Sequence, residues 1–226
     1  MDVIILAGGF GSRLRSEVSS VPKPMAPIGS RPFLELVLDE LLDYHIDRFI
    51  LSIGYLGNII SSYFGKSYKG IEIIYCNEDN PLGTGGAIKK ALGFVSSQQV
   101  LVLNGDTLSK VNIQEMFSKF LKSRSKIMIA LKVVENCQRY NAVEIDSKDL
   151  VKKFLQGQDR PGLISTGVYL LDVNYFSSKF KQEKFSFEKY IEKNNSFKVS
   201  TYTFNGFFID IGVPEDYRKL KKIYQE

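Results

Sequence analysis

The chain reads as an α/β protein with a mostly parallel sheet covered by helices on both faces. Three observations carry this reading. Short unbroken apolar runs, rich in Ile, Val and Leu, recur through the first half of the chain. Segments with helical spacing of apolar residues separate them. The composition, 44% hydrophobic with 16 Phe and 12 Tyr, supplies enough apolar surface for a sizeable core. Strands buried on both faces read as continuous apolar runs, whereas a sheet with one wet face would alternate.

The elements follow in order. Residues 3–6 form a first strand of aliphatic residues. Residues 31–44 predict a helix, with Pro32 in its first turn and Phe33, Leu36, Val37, Leu41 and Tyr44 on one stripe. Further strands are expected at 49–53, 71–75, 100–103 and 127–133, with helices near 58–64, 85–94 and 113–121. After about residue 134 the rhythm changes. Runs at 142–145, 150–154, 163–170 and 197–204 suggest strands of a mixed or antiparallel region, and 214–224 a closing helix. The sequence has no internal repeat, low-complexity tract or Pro/Gly/Ser-rich linker. One domain over 1–226 is therefore expected, with two functional halves, about 1–133 and 134–226.

Bulk properties narrow the function. The formal charge of +5 suits acidic partners such as nucleotides, phosphates, nucleic acid or an anionic surface, and selects none of them. The lysines are dispersed, so no nucleic-acid partner is expected. Arg218, Lys219, Lys221 and Lys222 read as a solvated helix face. Cys76 and Cys137 lie far apart and His45 is the sole histidine, which argues against zinc. His45 itself reads as a helix-end residue. No apolar run approaches the roughly 18 residues of a membrane span, and the opening run is too short for a signal peptide, so no membrane association and a cytoplasmic location are expected.

The first strand runs into Leu6-Ala7-Gly8-Gly9-Phe10-Gly11-Ser12-Arg13-Leu14. Glycines just after a first α/β strand let backbone N–H groups approach a phosphate, although they also suit a plain tight turn. A dinucleotide fingerprint is excluded because Leu14 stands where a third glycine is needed. A P-loop is excluded because the loop closes on Ser12-Arg13 rather than Gly-Lys-Ser/Thr. Downstream, Val21-Pro22-Lys23-Pro24-Met25-Ala26-Pro27-Ile28 holds Lys23 between prolines. With Arg13 it supplies two cations for a triphosphate. Asp106 follows the fourth strand, where Asn104-Gly105 could equally form a turn. Asp210 lies in the apolar stretch 207–211, where a carboxylate is costly to bury unless it is paired or binds metal. Carboxylates together with phosphate oxygens are what Mg²⁺ takes.

Together, the two N-terminal motifs closely resemble the signature of the sugar-1-phosphate nucleotidyltransferases. The resemblance continues at residues 81–87 (P-L-G-T-G-G-A), 103–106 (L-N-G-D), 165–169 (S-T-G-V-Y) and 208–217 (F-I-D-I-G-V-P-E-D-Y), and so spans nearly the whole chain. Within the family, P-K-P-M-A-P-I and P-L-G-T-G-G-A are most similar to the guanylyltransferases for D-glycero-α-D-manno-heptose 1-phosphate, enzymes of surface-polysaccharide precursor synthesis. The resemblance implies a Rossmann-like, GT-A-like fold with a small mixed or antiparallel sugar-binding region. It implies transfer of a nucleotidyl group from a nucleoside triphosphate to a sugar 1-phosphate, with Mg²⁺ and often as a homo-oligomer. Arg13 and Lys23 would be catalytic. Leu6, Ala7, Gly8, Gly9, Gly11, Ser12, Gly83, Thr84 and Asn104 would bind the nucleotide. Gly105, Thr166 and Gly167 would meet the sugar phosphate, and Asp106 and Asp210 the metal.

The match departs from the family pattern in two places. Many relatives carry Glu-Lys after the strand predicted to end at Phe154, the lysine meeting the sugar phosphate. Here Gln156-Gly157 stands there, so Lys152, Lys153 or Arg160 is expected to substitute. Ser165 replaces the common Asn of an N-T-G motif. Glu78 stands where relatives that use thymidine or uridine nucleotides usually carry Gln. An ionised carboxylate accepts and does not donate. It therefore suits guanine, which offers two adjacent donors, over uracil or thymine, with cytosine second.

Overall fold

In a computed structural model, all residues are described except Arg15, Asn141, Gln156, Asn195, Ser196, Gln225 and Glu226, and Ser12 is described by its backbone alone. The chain opens with β1 (Asp2–Leu6), the short pair β2 (Pro27–Ile28) and β3 (Arg31–Pro32), α1 (Phe33–Asp39), β4 (Arg48–Ile53) and α2 (Gly57–Phe64). Next come β5 (Ser67–Tyr68), β6 (Ile71–Asn77), α3 (Gly83–Ala91), β7 (Gln99–Asn104), β8 (Thr107–Ser109), α4 (Ile113–Ser123) and β9 (Ile127–Val134). The remainder comprises β10 (Ala142–Ile145), β11 (Val151–Leu155), β12 (Gly162–Asp172), α5 (Val173–Lys179), α6 (Phe187–Lys193), β13 (Val199–Phe204), β14 (Phe208–Asp210) and α7 (Pro214–Ile223).

The central strands β7, β1, β4 and β6 are parallel neighbours in that order. Their apolar runs are buried on both faces. In β1, Val3 and Ile5 join one core cluster while Ile4 joins the other, and all three are fully buried. One cluster holds Phe33, Leu34, Leu38 and Phe49, and the other Phe176, Phe180 and Phe187. This two-sided burial is why the strands lack alternation.

Tertiary structure altered several expectations. The helix expected over 31–44 is α-helical only at Phe33–Asp39. Arg31 precedes a proline, which disfavours helical backbone, and pairs instead with Ile28 in the β2–β3 ribbon. Beyond the helix the chain continues in tighter turns, with Leu41 N–H donating to Leu38 O and Leu42 N–H to Asp39 O. The stripe through Leu41 thus persists without α-helical bonds. The second half is mixed, as expected, and it continues the main sheet. β12 lies in the main sheet, antiparallel to β7 and β9, and β13 runs parallel to β9. Sequence patterns also passed over β5, α5, α6 and the β8–β14 pair. Among the described residues no helix is long and apolar enough to cross a membrane.

Asp2 ties the start of the sheet together. Its side chain is 1% exposed and accepts from Arg48 Nε (3.0 Å) and Nη2 (2.8 Å) and from the backbone N–H groups of Ser96 and Ser97. Burial alone would raise its pKa, but these donors outweigh it and hold the carboxyl below its ordinary value. A depressed carboxylate stabilises the fold above the unfolded pKa of about 3.9 and loses that contribution as pH falls through the folded value. Asp2→Ala leaves Arg48 unpaired and is expected to cost about 3 kcal/mol at pH 7, a fall in Tm of about 6–12 °C. The gap from wild type should narrow below about pH 4. Thermal melts at pH 7 and in acid check both; an equal gap at the two pH values would show that the ion pair contributes nothing.

Candidate active site

The carboxyl ends of β1 and β7 and the residue that follows β6 line a cleft of about 360 Å³. Ligands of open parallel sheets bind at this edge. Ala7 N–H donates to Ser52 O (2.7 Å) and Gly105 N–H to Leu6 O (2.9 Å), which locks the loops after β1 and β7 to their neighbours. Gly8 has no space for a side chain: a Cβ would sit 2.6 Å from Glu78 Oε1. Gly11 adopts φ +57°, in the left-handed region, and a Cβ there would lie 2.9 Å from Lys23 Cβ. The glycine loop therefore folds back onto the lysine stem, a contact that spacing alone does not reveal.

Lys23 begins a 3₁₀ turn after an extended Pro22 and is buried, 9% exposed. Its ammonium donates to Asp106 Oδ2 at 2.7 Å and to Asp210 Oδ1 at 3.4 Å. The carboxylates meet because β8 and β14 pair antiparallel, with Thr107 opposite Asp210, and Ile211 N–H donates to Asp106 O. Gly212 N–H also donates to Asp210 Oδ1, at 2.6 Å. Burial and the nearby Asp106 push the Asp210 carboxyl above its ordinary range, while Lys23 and the Gly212 N–H pull against that shift. Two carboxylate groups left short of positive charge fit a hard divalent cation. Mg²⁺ commonly takes one or two protein carboxylates and completes its shell with substrate phosphates.

Glu78 also lines the cleft and is held from two sides. Ser52 Oγ donates to Oε1 (2.8 Å) and Leu82 N–H to Oε2 (3.3 Å). Beside it, Gly83 adopts φ +72° and opens α3. The glycines of P-L-G-T-G-G-A serve packing as much as ligand approach. Cβ atoms at Gly85 and Gly86 would lie 2.1 Å from the Phe185 ring and Glu183 O respectively. Phe185 O accepts from both glycine N–H groups, and the Thr84 hydroxyl accepts from Phe187 N–H.

Most sequence-derived candidates converge. Leu6, Ala7, Gly8, Gly9, Gly11, Arg13, Lys23, Glu78, Gly83, Thr84, Asn104 and Asp106 all line the cleft, and Asp210 adjoins it through Lys23. Ser12 contributes backbone to the turn Ser12–Leu14. Gly105 lies beneath the floor, where a Cβ would sit 2.9 Å from Leu6 O. Thr166 is buried, with its hydroxyl donating to Ala130 O. Gly167, at φ +73° where the β12–β9 register shifts, leaves room for the Asn104 amide, which would be 2.3 Å from a Cβ there. Lys152 and Lys153 are exposed on β11 and do not line the cleft, and Lys152 pairs with Glu144 at 3.4 Å. Gln156 lies outside the described residues. Phe10, Pro24, Pro81, Ala87 and Gly212 line the cleft without having been singled out. Each sits inside one of the quoted motifs, which is the signal that was available for them.

Comparison with known proteins agrees with this site. A family model described as nucleotidyl transferase matches residues 2–226. The chain is 41% identical over 227 residues to D-glycero-alpha-D-manno-heptose 1-phosphate guanylyltransferase of Aneurinibacillus thermoaerophilus, covering 100% of this chain and 99% of the relative. It is 44% identical over 219 residues to the protein of the same name from Campylobacter jejuni subsp. jejuni, covering 96% and 97%. The crystal structure of HddC from Yersinia pseudotuberculosis complexed with GMP-PN superposes with a TM-score of 0.87 at 33% identity, over 99% of both chains. Nucleotidyltransferases of this kind generally use a divalent metal. By motif, fold and full-length similarity, the chain belongs to the nucleotidyl transferase family.

Proposed function

We propose that the chain transfers GMP from GTP to D-glycero-α-D-manno-heptose 1-phosphate, giving a GDP-sugar and pyrophosphate. The observation that carries this reading is one cleft lined by Arg13, Lys23 and Asp106 together with a Glu78 carboxylate fixed by Ser52 and Leu82. The two full-length relatives that bear this activity in their names support the sugar. The two halves, 1–133 and 134–226, would divide the work between nucleotide and sugar phosphate. Both substrates are cytoplasmic metabolites, so the reaction is set in the cytoplasm.

The chemistry is an in-line displacement. A phosphate oxygen of the sugar 1-phosphate forms a bond to the α-phosphorus, the bond from that phosphorus to the β-phosphate bridging oxygen breaks, and pyrophosphate leaves. The attacking oxygen is already ionised near neutral pH, so no strong base is needed, and rate comes from positioning and charge neutralisation. Arg13 holds the departing pyrophosphate, and the glycine loop lets backbone N–H groups approach the phosphates. Lys23 stands at the α-phosphate. Mg²⁺, held by Asp106 and Asp210, supplies further neutralisation of phosphate charge when bound.

Glu78 would read the base through its remaining acceptor capacity, which matches the ring N1–H and exocyclic amine of guanine and repels the carbonyls of uracil. Hydrogen bonds to a charged group are worth about 1.5–3 kcal/mol, or about tenfold to a hundredfold in kcat/KM. Pyrophosphate release from GTP, CTP, UTP and dTTP should show GTP preferred by that margin. Glu78→Gln should erode the preference without unfolding, since the amide oxygen can accept from Leu82 N–H while the amide nitrogen donates to Ser52 Oγ. Equal use of UTP and GTP by the wild type would overturn the base assignment. A panel of sugar 1-phosphates tests the acceptor in the same assay.

A further inference from the structure

Lys152, Lys153 and Arg160 are the cations expected at the sugar phosphate. Among the described residues no bond joins any of their side chains to β14 or α7, and Lys152 is paired with Glu144. Lys132 is committed to backbone, donating to Gly206 O at 2.6 Å. A different cation is tied to α7, the helix that packs on β14.

It belongs to the segment between β9 and β10. Its backbone is tied down: Cys137 N–H donates to Arg160 O (3.0 Å), Gln138 N–H to Asn136 Oδ1 (2.7 Å) and Tyr140 N–H to Cys137 O (2.9 Å). Gly157 packs directly under it. A Cβ at 157 would lie 2.5 Å from Cys137 O and 2.4 Å from Gln138 O, so no side chain can project from that position. The segment instead presents Arg139. Its Nη2 donates to Asp216 in the first turn of α7, and its guanidinium lies 5.5 Å from the Tyr140 ring centroid. Tyr140 in turn packs edge-on against Phe208, at 5.8 Å, two residues before Asp210 on β14. Asp216 follows Gly212, the residue that both lines the cleft and donates to Asp210. Asp216 and Tyr140 thus fix the direction of a planar fork whose Nε and Nη1 make no bond to a described residue. Such a fork matches phosphate oxygens two at a time, and a phosphate arriving beside Asp106, Asp210 and Asp216 needs positive charge beyond Lys23.

Resting on the guanylyltransfer reading, we propose that Arg139, aimed by Asp216 and Tyr140, binds the phosphate of the sugar 1-phosphate. Arg139 is then a substrate-binding residue, and Asp216 a positioning residue acting through it.

The test is initial-rate kinetics of wild type, Arg139→Ala and Arg139→Lys, varying each substrate with the other saturating. Arg139→Ala should raise KM for the sugar 1-phosphate about tenfold to a hundredfold and leave KM for GTP within about twofold. Arg139→Lys keeps the charge without the fork and should fall between. An equal rise in both KM values, or no rise in either, would overturn the proposal. So would a loss that appears in Lys152→Ala/Lys153→Ala and not in Arg139→Ala. Thermal melts identify a variant that fails to fold, in which case Arg139→Lys alone decides. Wild-type turnover in the same assay keeps the two ideas apart. If the wild type uses no sugar 1-phosphate, the functional reading fails. If it does and Arg139→Ala matches it, only the Arg139 assignment fails.

Discussion

Asp106→Asn is expected to lower kcat by about a hundredfold or more if Asp106 holds the metal as proposed, because losing a charge that would hold a catalytic cation costs several kcal/mol of transition-state stabilisation. The substitution is nearly isosteric, so the effect is on charge rather than shape. The Asp106 carbonyl still accepts from Ile211 N–H, and the β8–β14 pairing that follows it is untouched. The fold should therefore survive, with Tm within a few degrees of wild type. Removing this carboxylate also relieves the repulsion that helps push Asp210 above its ordinary pKa, so Asp210 should titrate lower in the variant. Kinetics with and without EDTA, alongside thermal melts, check the point. Wild-type turnover in EDTA, or in Asp106→Asn, would remove the metal assignment.

Lys23→Ala should act on both rate and stability. The ammonium is nearly buried and stands against both carboxylates. Its loss leaves Asp106 and Asp210 facing each other with no shared counter-charge. Removing one partner of a buried ionic group costs about 3–5 kcal/mol; Asp106 is 37% exposed, so the lower end, about 3 kcal/mol, is expected here. A bound divalent cation should restore part of this, because it binds the folded state and not the unfolded one. The rate should fall about a hundredfold to a thousandfold, the scale for removing one preorganised charge at a developing anion. Lys23→Met keeps the stem that packs on Gly11 and separates packing from charge. It should lose the rate and retain more stability than Lys23→Ala. If Lys23→Ala kept wild-type kcat, the lysine would be a structural counter-ion only.

Much of this molecule is legible in its sequence because the relevant physics is local. The apolar runs of β1, β4 and β7 are continuous because those strands are buried on both faces, and that pattern is visible without knowing the neighbours. Gly8 and Gly11 announce backbone close to something, and Pro22 and Pro24 announce a stiffened Lys23. Ordered motifs of this kind named eleven residues of the cleft wall, and Glu78 was named by its position ahead of Gly83. Where the local pattern misled, a competing local effect won. Pro32 held Arg31 extended, and turns replaced helix after Glu40 while the apolar stripe ran on.

Contacts between distant segments were another matter. Nothing near Asp106 or Asp210 indicates that they share one ammonium; the β8–β14 pairing decides that, and β8 and β14 are only three residues each. Thr166, Gly167, Lys152 and Lys153 sit in strands whose register determines which way they face. The bulge in β12 and the edge position of β11 could not be read from spacing. Arg139 lies in a segment with no motif of its own, and only its bond to Asp216 ties it to the helix that packs on β14. Residue type and periodicity report how one segment meets solvent or core. Which two segments meet each other depends on strand order and register, and these are set by the packing of the whole chain.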